Sequence, residues 1–279
     1  MNLSCTLKYN FIRGDSMKPY FDQVPAIYSL NGGVKDLPQN TLQAFRSGFD
    51  QGADAAFVSV QLSSDGQIMV ISSDLLEKVS DGSGAVKSRT SAEILSLDAG
   101  YHFTTDGSSY PFRGRGFTFM TLPDLLSSFP GQKFSITLMQ NDPVLVRKYA
   151  DVIKNMNASD RVITSSYFSS NTRLVRELLP GSATAFSMTG IIGIYGLFKS
   201  GLIYFTGGFR ADVLQTSESI GASYIANRGL VRLMHKKGIY VQVWDVRDAV
   251  QYKRLADAGV DSFMTEDVPG LKRFMAGEK

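Results

Sequence analysis

Apolar residues along this chain gather into short bursts of two kinds. The first kind is a run of five to eight residues, rich in β-branched and aromatic side chains and bounded by Gly, Pro, Asp or Ser. Such runs predict strands. They cover residues 25–30, 55–60, 67–72, 133–139, 161–166, 183–188, 222–226, 239–246 and 261–265. The second kind spaces its apolar residues at helical intervals. Residues 40–52 carry Leu42, Phe45 and Phe49 and stop at Gly52. Residues 169–181 stop at Pro180–Gly181, residues 228–238 end on basic residues and Gly238, and residues 248–259 open on Asp248 and close at Gly259. These are helix start and stop signals.

Strand, helix with a Gly stop, and strand recur every 20–30 residues or about that, which gives a parallel sheet. Runs such as "AAFV" and "IYVQVW" are apolar on both faces, as strands covered by helices are. About eight strands in 279 residues predict an α/β fold closed into a TIM (β/α)8 barrel. Nine candidate runs leave one to lie outside the barrel. Residues 75–130 are polar, glycine-rich and poor in strands, and read as a small insertion over one barrel end. The expected organisation is an N-terminal extension over residues 1–24 and a barrel over 25–279.

Composition narrows the functional classes. The chain is 43% hydrophobic and 20% charged, which argues against disorder. Its net charge is +3, and no run of five Lys or Arg occurs, so nothing recommends a nucleic-acid partner. The single cysteine, Cys5, excludes an internal disulfide and a zinc site built on paired cysteines. "MNLSCTLKYNFIRGD" has no continuous apolar core and does not read as a signal peptide, so a cytoplasmic location is the default. One stretch complicates that default. "GIIGIYGLFKSGLIYFTGGF" (190–209) is apolar, yet Lys199 and its glycines interrupt it as a spanning helix. It is either a helix and loop packed on the domain or an exposed surface for a membrane or a partner protein, which would make the chain membrane-peripheral.

Several ordered segments resemble a known family. They are "PQNT" (38–41), "GAD" (52–54), "VQLSSDG" (60–66), "DGSG" (81–84), "LDAG" (97–100), "TLPDLLSSFP" (121–130), "VQVWDVRD" (241–248) and "AGVDSFMTEDVPGL" (258–271). In this order and spacing the chain resembles the glycerophosphodiester phosphodiesterase family. The resemblance implies a TIM-type barrel with its site at the strand C-termini. It also implies metal-assisted cleavage of a phosphodiester, with Ca²⁺ or Mg²⁺ held by carboxylates. The departures fall on that site. The family's first-strand His-Arg pair falls on Leu30 and Asn31, and the glutamate of its next motif on Gln39. Its metal-binding Glu and Asp fall on Phe57 and Ser59. A later His and Asp fall on Ser72 and Ser73, and an acid and a lysine on Thr137 and Met139.

A hard divalent cation needs oxygen ligands, mainly carboxylates. Phe57 offers none, and Ser59 and Thr137 are neutral. General acid and base groups must exchange protons near neutral pH, which Leu30 and Ser72 cannot do. Met139 cannot stabilise phosphoryl charge. The two histidines lie elsewhere: His102 in the insertion, and His235 late in a helix, where it is expected to face solvent. Asp74, Asn141, Asp142, Asp245, Arg247, Glu266 and Asp267 lie at or after strands. They are either a replacement constellation or ordinary rim charges, with Asp245 and Arg247 placed to form an ion pair. The candidate pocket lining is Asn31, Ser59, Gln61, Ser72, Tyr167, Trp244 and Arg247.

The expectation is therefore a catalytically inactive barrel, a pseudoenzyme without a metal cofactor, that binds a phospholipid-derived head group or a protein. One alternative is a phosphoric diester hydrolase of lipid metabolism with rearranged ligands. The other is a membrane-peripheral scaffold using residues 190–209.

Overall fold

Eight parallel strands form a ring in the computed structural model, which describes residues 18–22, 26–33, 35–220 and 223–277. They are β1 (Ile27–Leu30), β2 (Ala55–Leu62), β3 (Lys133–Leu138), β4 (Val162–Ser166), β5 (Ala183–Thr184), β6 (Val213–Ser217), β7 (Tyr240–Trp244) and β8 (Ser262–Thr265). Each pairs with its sequence neighbour, and β8 pairs with β1. The β5–β6 contact is the slightest, a single bridge from Ala185 to Val213. Backbone bonds from Asp212 N to Thr184 O (2.8 Å) and from Phe186 N to Val213 O (3.0 Å) flank it.

Helices cover the ring. α1 (Leu42–Asp50) follows β1, and the insertion between β2 and β3 carries α2 (Ser91–Leu95) and α3 (Leu122–Ser128). Then come α4 (Pro143–Asn155), α5 (Ser169–Leu178), α6 (Met188–Lys199), α7 (Arg228–Lys236), α8 (Ala249–Ala258) and α9 (Val268–Ala276). Local chemistry sets their limits. Thr41 caps α1 by accepting from Ala44 N, and Asp248 caps α8 by accepting from Gln251 N. Gly259, at φ +92°, ends α8 in the left-handed region that suits glycine. None of the helices among the described residues is long and apolar enough to cross a membrane.

The N-terminal end of the ring is plugged by residues 18–22. Tyr20 and Phe21 are buried there with Ile163, Ala183 and Val213. The Tyr20 and Tyr28 hydroxyls share a 2.7 Å bond, Phe21 stacks on Tyr240 at 4.1 Å, and Lys133 Nζ donates to Tyr20 O at 2.6 Å. Midway up the ring, Gln215 Nε2 donates to Ser135 Oγ (2.7 Å) and to Gln242 Oε1 (2.8 Å). The insertion has its own small core, including Met69, Ile71, Leu76, Val86, Ile94 and Phe119.

Four sequence expectations need correction. Seven of the nine candidate runs are ring strands. The run at 67–72 instead supplies Ile68–Val70, which returns antiparallel on β2 because the Asp65–Gly66 turn is a tight hairpin. The run at 222–226 supplies only Ser223–Tyr224, antiparallel to Ser219–Ile220 and outside the ring. The run at 183–188 is mostly not strand, because Ser187 caps a helix that begins at Met188. His235 is buried rather than solvent-facing: its Nε2 lies 2.8 Å from Asp261 Oδ2, which also accepts from Val241 N.

Candidate functional site

Alternation along each strand decides what the ring presents at its C-terminal mouth. There Leu30 and Phe57 pack with Tyr28, Ala55 and Met264. Above them lies a cavity of about 300 Å³. Its apolar walls are Leu30, Phe57, Phe186, Met188, Ile191 and Met264, and its aromatic rim is Tyr167 and Trp244. Its polar lining is Thr137, Ser165, Ser166, Gln215, Thr216 and Ser217. None of these lining residues is charged.

The polar groups are largely spent on the protein itself. Thr137 Oγ1 and Ser165 Oγ bond to each other at 2.6 Å. Ser166 Oγ donates to Leu138 O, Thr216 Oγ1 to Ser217 O, and Ser217 Oγ to Ser219 O. Both hydrogens of the Gln215 amide are taken by Ser135 and Gln242. Few donors remain for an anion, so the cavity surface behaves as more apolar than its residue types suggest.

Of the seven sequence-derived lining candidates, Tyr167 and Trp244 border this cavity. Asn31 and Ser72 belong instead to a neutral network beside it. Asn31 Nδ2 and Ser72 Oγ both donate to Gln39 Oε1 (3.2 and 3.0 Å), and Asn40 Nδ2 donates to Ser72 Oγ (2.9 Å). Gln61 is buried and donates to Ser73 O at 2.6 Å, while Ser73 Oγ donates to Leu75 O. Ser59 is buried and Met139 half-buried, and neither lines the cavity. Arg247 is also apart from it, with a side chain 78% exposed and Nε 2.7 Å from Asp245 Oδ2. That bond holds the guanidinium above its usual range.

The other rim groups hold structure together. Asp142 caps α4, and Asp267 caps α9 and pairs with Lys35 at 2.5 Å. Asn141 Oδ1 accepts from Ser170 Oγ, and Asp74 is exposed. Glu266 is shifted upward, first by partial burial and then by the Asp245 carboxylate. His102 is exposed in the insertion, edge-on to the Tyr101 ring.

The sequence reading missed Ser165, Ser166, Phe186, Met188, Ile191, Gln215, Thr216, Ser217 and Met264 as lining residues. Inward parity at each strand end was the available signal. It fails around β6, which no apolar run marks, and around Phe186, where the apolar run continues past the end of β5.

Residues 31–269 match the glycerophosphoryl diester phosphodiesterase family. The chain belongs to this family. A glycerophosphodiester phosphodiesterase from Caldanaerobacter subterraneus is 29% identical over 244 residues, spanning 86% of this chain and 93% of that protein. Among solved structures, the glycerophosphoryl diester phosphodiesterase domain of an uncharacterised Mycobacterium tuberculosis protein has a TM-score of 0.80 at 21% identity. It covers 90% of this chain and 99% of its own. An Oleispira antarctica phosphodiesterase, solved with the product sn-glycerol-3-phosphate, has a TM-score of 0.75 at 19% identity, over 92% and 99%.

The residues lining this cavity do not fit a divalent cation of the kind the phosphodiesterase resemblance implies. Such an ion takes oxygen ligands, mainly carboxylates, and no lining residue carries one. The hydroxyls of Thr137 and Ser165 already hold each other.

Proposed function

We propose that this family member is a non-catalytic barrel whose mouth binds the apolar part of a lipid-derived ligand. The observation that carries this reading is the lining of the cavity, which combines apolar walls with no charged side chain. A phosphodiester is an anion, and burying it without a cation or free donors costs several kcal/mol or about that. A hydrocarbon chain gains ~0.8 kcal/mol for each CH₂ removed from water. The cavity lies at the low end of the roughly 300–1,000 Å³ of small-molecule sites. That size favours a chain segment over a whole phospholipid. Tyr167 and Trp244 are 50% and 43% exposed at the rim, where a phenol and an indole can meet the ligand's polar end.

Trp244 is the single tryptophan, so its fluorescence reports on the mouth alone. A brominated fatty acid is expected to quench it saturably. Hydrolysis of glycerophosphocholine and lysophosphatidylcholine is expected to stay at background with Ca²⁺, Mg²⁺ or Mn²⁺. Absence of saturable quenching refutes the ligand assignment. Turnover that EDTA abolishes refutes the loss of catalysis. In that case the rearranged-hydrolase reading gains, for which one observation speaks: Asp245 Oδ1 is buried without a partner beside the raised Glu266 carboxyl.

A further inference from the structure

Twelve large hydrophobic side chains are exposed among the described residues, and five of them fall between residues 188 and 205. Ile192 stands on the outer face of α6 and Met188, one turn earlier, is part-exposed at the cavity mouth, while Ile191 and Ile194 face the core. After the helix ends at Lys199, Gly201, with φ +75°, leads into a 3-10 turn at Leu202–Phe205. Within that turn Ile203 is buried, and Leu202, Tyr204 and Phe205 are 56%, 66% and 88% exposed. Between the two apolar groups the outer face carries Gly193 and Gly196, each with open space beside it.

The charge carried by this segment is one-sided. From residue 178 to residue 211 the chain has no Asp or Glu, and its only charges are Lys199 and Arg210. Lys237 reaches the same turn and donates to Thr206 O at 2.8 Å. Lys199 is an exposed residue whose Nζ sits 5.6 Å from the Tyr195 ring centre. An apolar ridge whose own segment carries cations and no carboxylate complements anionic head groups over an acyl layer.

We propose that the α6 flank docks on an anionic lipid bilayer, with the helix lying in the interface and Leu202, Tyr204 and Phe205 entering the head-group region. Tyr204 suits that depth because its ring is apolar and its hydroxyl wets. Lys199 can extend its stem over the apolar surface and keep its charge among the phosphates. This docking does not depend on whether the barrel is catalytic.

The test is flotation of the purified protein with vesicles of phosphatidylcholine alone and of phosphatidylcholine mixed with phosphatidylglycerol. The wild type is expected to float with the mixed vesicles and to be released as salt rises. Ile192→Ser and Phe205→Ser should each lower partitioning on the order of ten-fold. Lys199→Gln with Arg210→Gln should weaken the preference for phosphatidylglycerol. Because these side chains are exposed, the variants should melt as the wild type does. If Phe205→Ser does not, Tyr204→Ser gives a second reading of the same face. A wild type that stays unbound, or variants that float undiminished, overturns the proposal. A wild-type dimer that Phe205→Ser dissociates also overturns it, since the ridge would then be covered by a second copy.

Discussion

A carboxylate at position 57 would test the chemistry of the mouth. Phe57 packs with Tyr28, Leu30, Ala55 and Met264, and part of its ring faces the cavity. Full burial of a Phe is worth ~1.5–3 kcal/mol, and this half-buried ring takes the low end, about 1.5. In Phe57→Glu the new carboxylate meets no Lys or Arg among the lining residues. An unsatisfied buried polar group costs a further ~1–3 kcal/mol, and more when charged. The sum is about 2.5–4.5 kcal/mol at pH 7, a large share of the ~5–15 kcal/mol that holds a domain together. For a chain of this size it corresponds to a fall of ~5–18 °C in Tm. Phe57→Gln has nearly the same shape without the charge, and isolates the electrostatic part. The sign of the pH effect follows from apolar surroundings, which raise the pKa of the folded carboxyl above its unfolded value. The penalty is then fully present above the folded pKa and absent below the unfolded one, near ~4.3. Thermal and urea denaturation should therefore separate the two variants at pH 7 and bring them together near pH 4. Equal stability at pH 7, or a gap that persists in acid, would refute the reasoning. So would recovery of Phe57→Glu by Ca²⁺, which would mean that a cation does find ligands here.

Two further predictions concern other parts of the ring. Phe21→Ala removes the ring stacked on Tyr240 at the barrel floor and should cost ~3–5 kcal/mol by urea denaturation; a loss within error would mean that residues 18–22 do not brace the barrel. Glu266 has a raised pKa, so its ionised form weighs against the fold above that pKa and not below the unfolded value. Glu266→Gln should therefore raise Tm at pH 7 with a gain that fades towards pH 4, and a gain independent of pH would contradict this.

The sequence pattern was most informative where strands are apolar on both faces. β2 and β7 were marked by "AAFV" and "IYVQVW", and helix limits such as Asp248 and Gly259 followed from capping chemistry. β6 lacks an apolar run because Gln215 serves the polar layer inside the ring and Thr216 and Ser217 line the mouth, which dilutes the apolar signal. β5 was overdrawn because Ala185 and Phe186 continue the strand's apolar run although the pairing has nearly ended. Ser187 then turns the chain into α6. At the mouth, residue types alone mark Ser59, Gln61 and Ser72 as polar lining. Their hydrogen bonds and burial are long-range facts, set by Gln39, Asn40 and the loop at 72–75, and no local pattern reveals them.

The single bridge between Ala185 and Val213 makes the barrel a rolled sheet fastened by one stitch. Local opening costs least where the fewest backbone bonds must break. Phe186, Met188 and Ile191 border the cavity from one side of that stitch, and Thr216 and Ser217 from the other. Parting the two edges would breach the wall sideways under α6. An acyl chain could then slip in from the surface on which that helix rests without first crossing water to reach the open end.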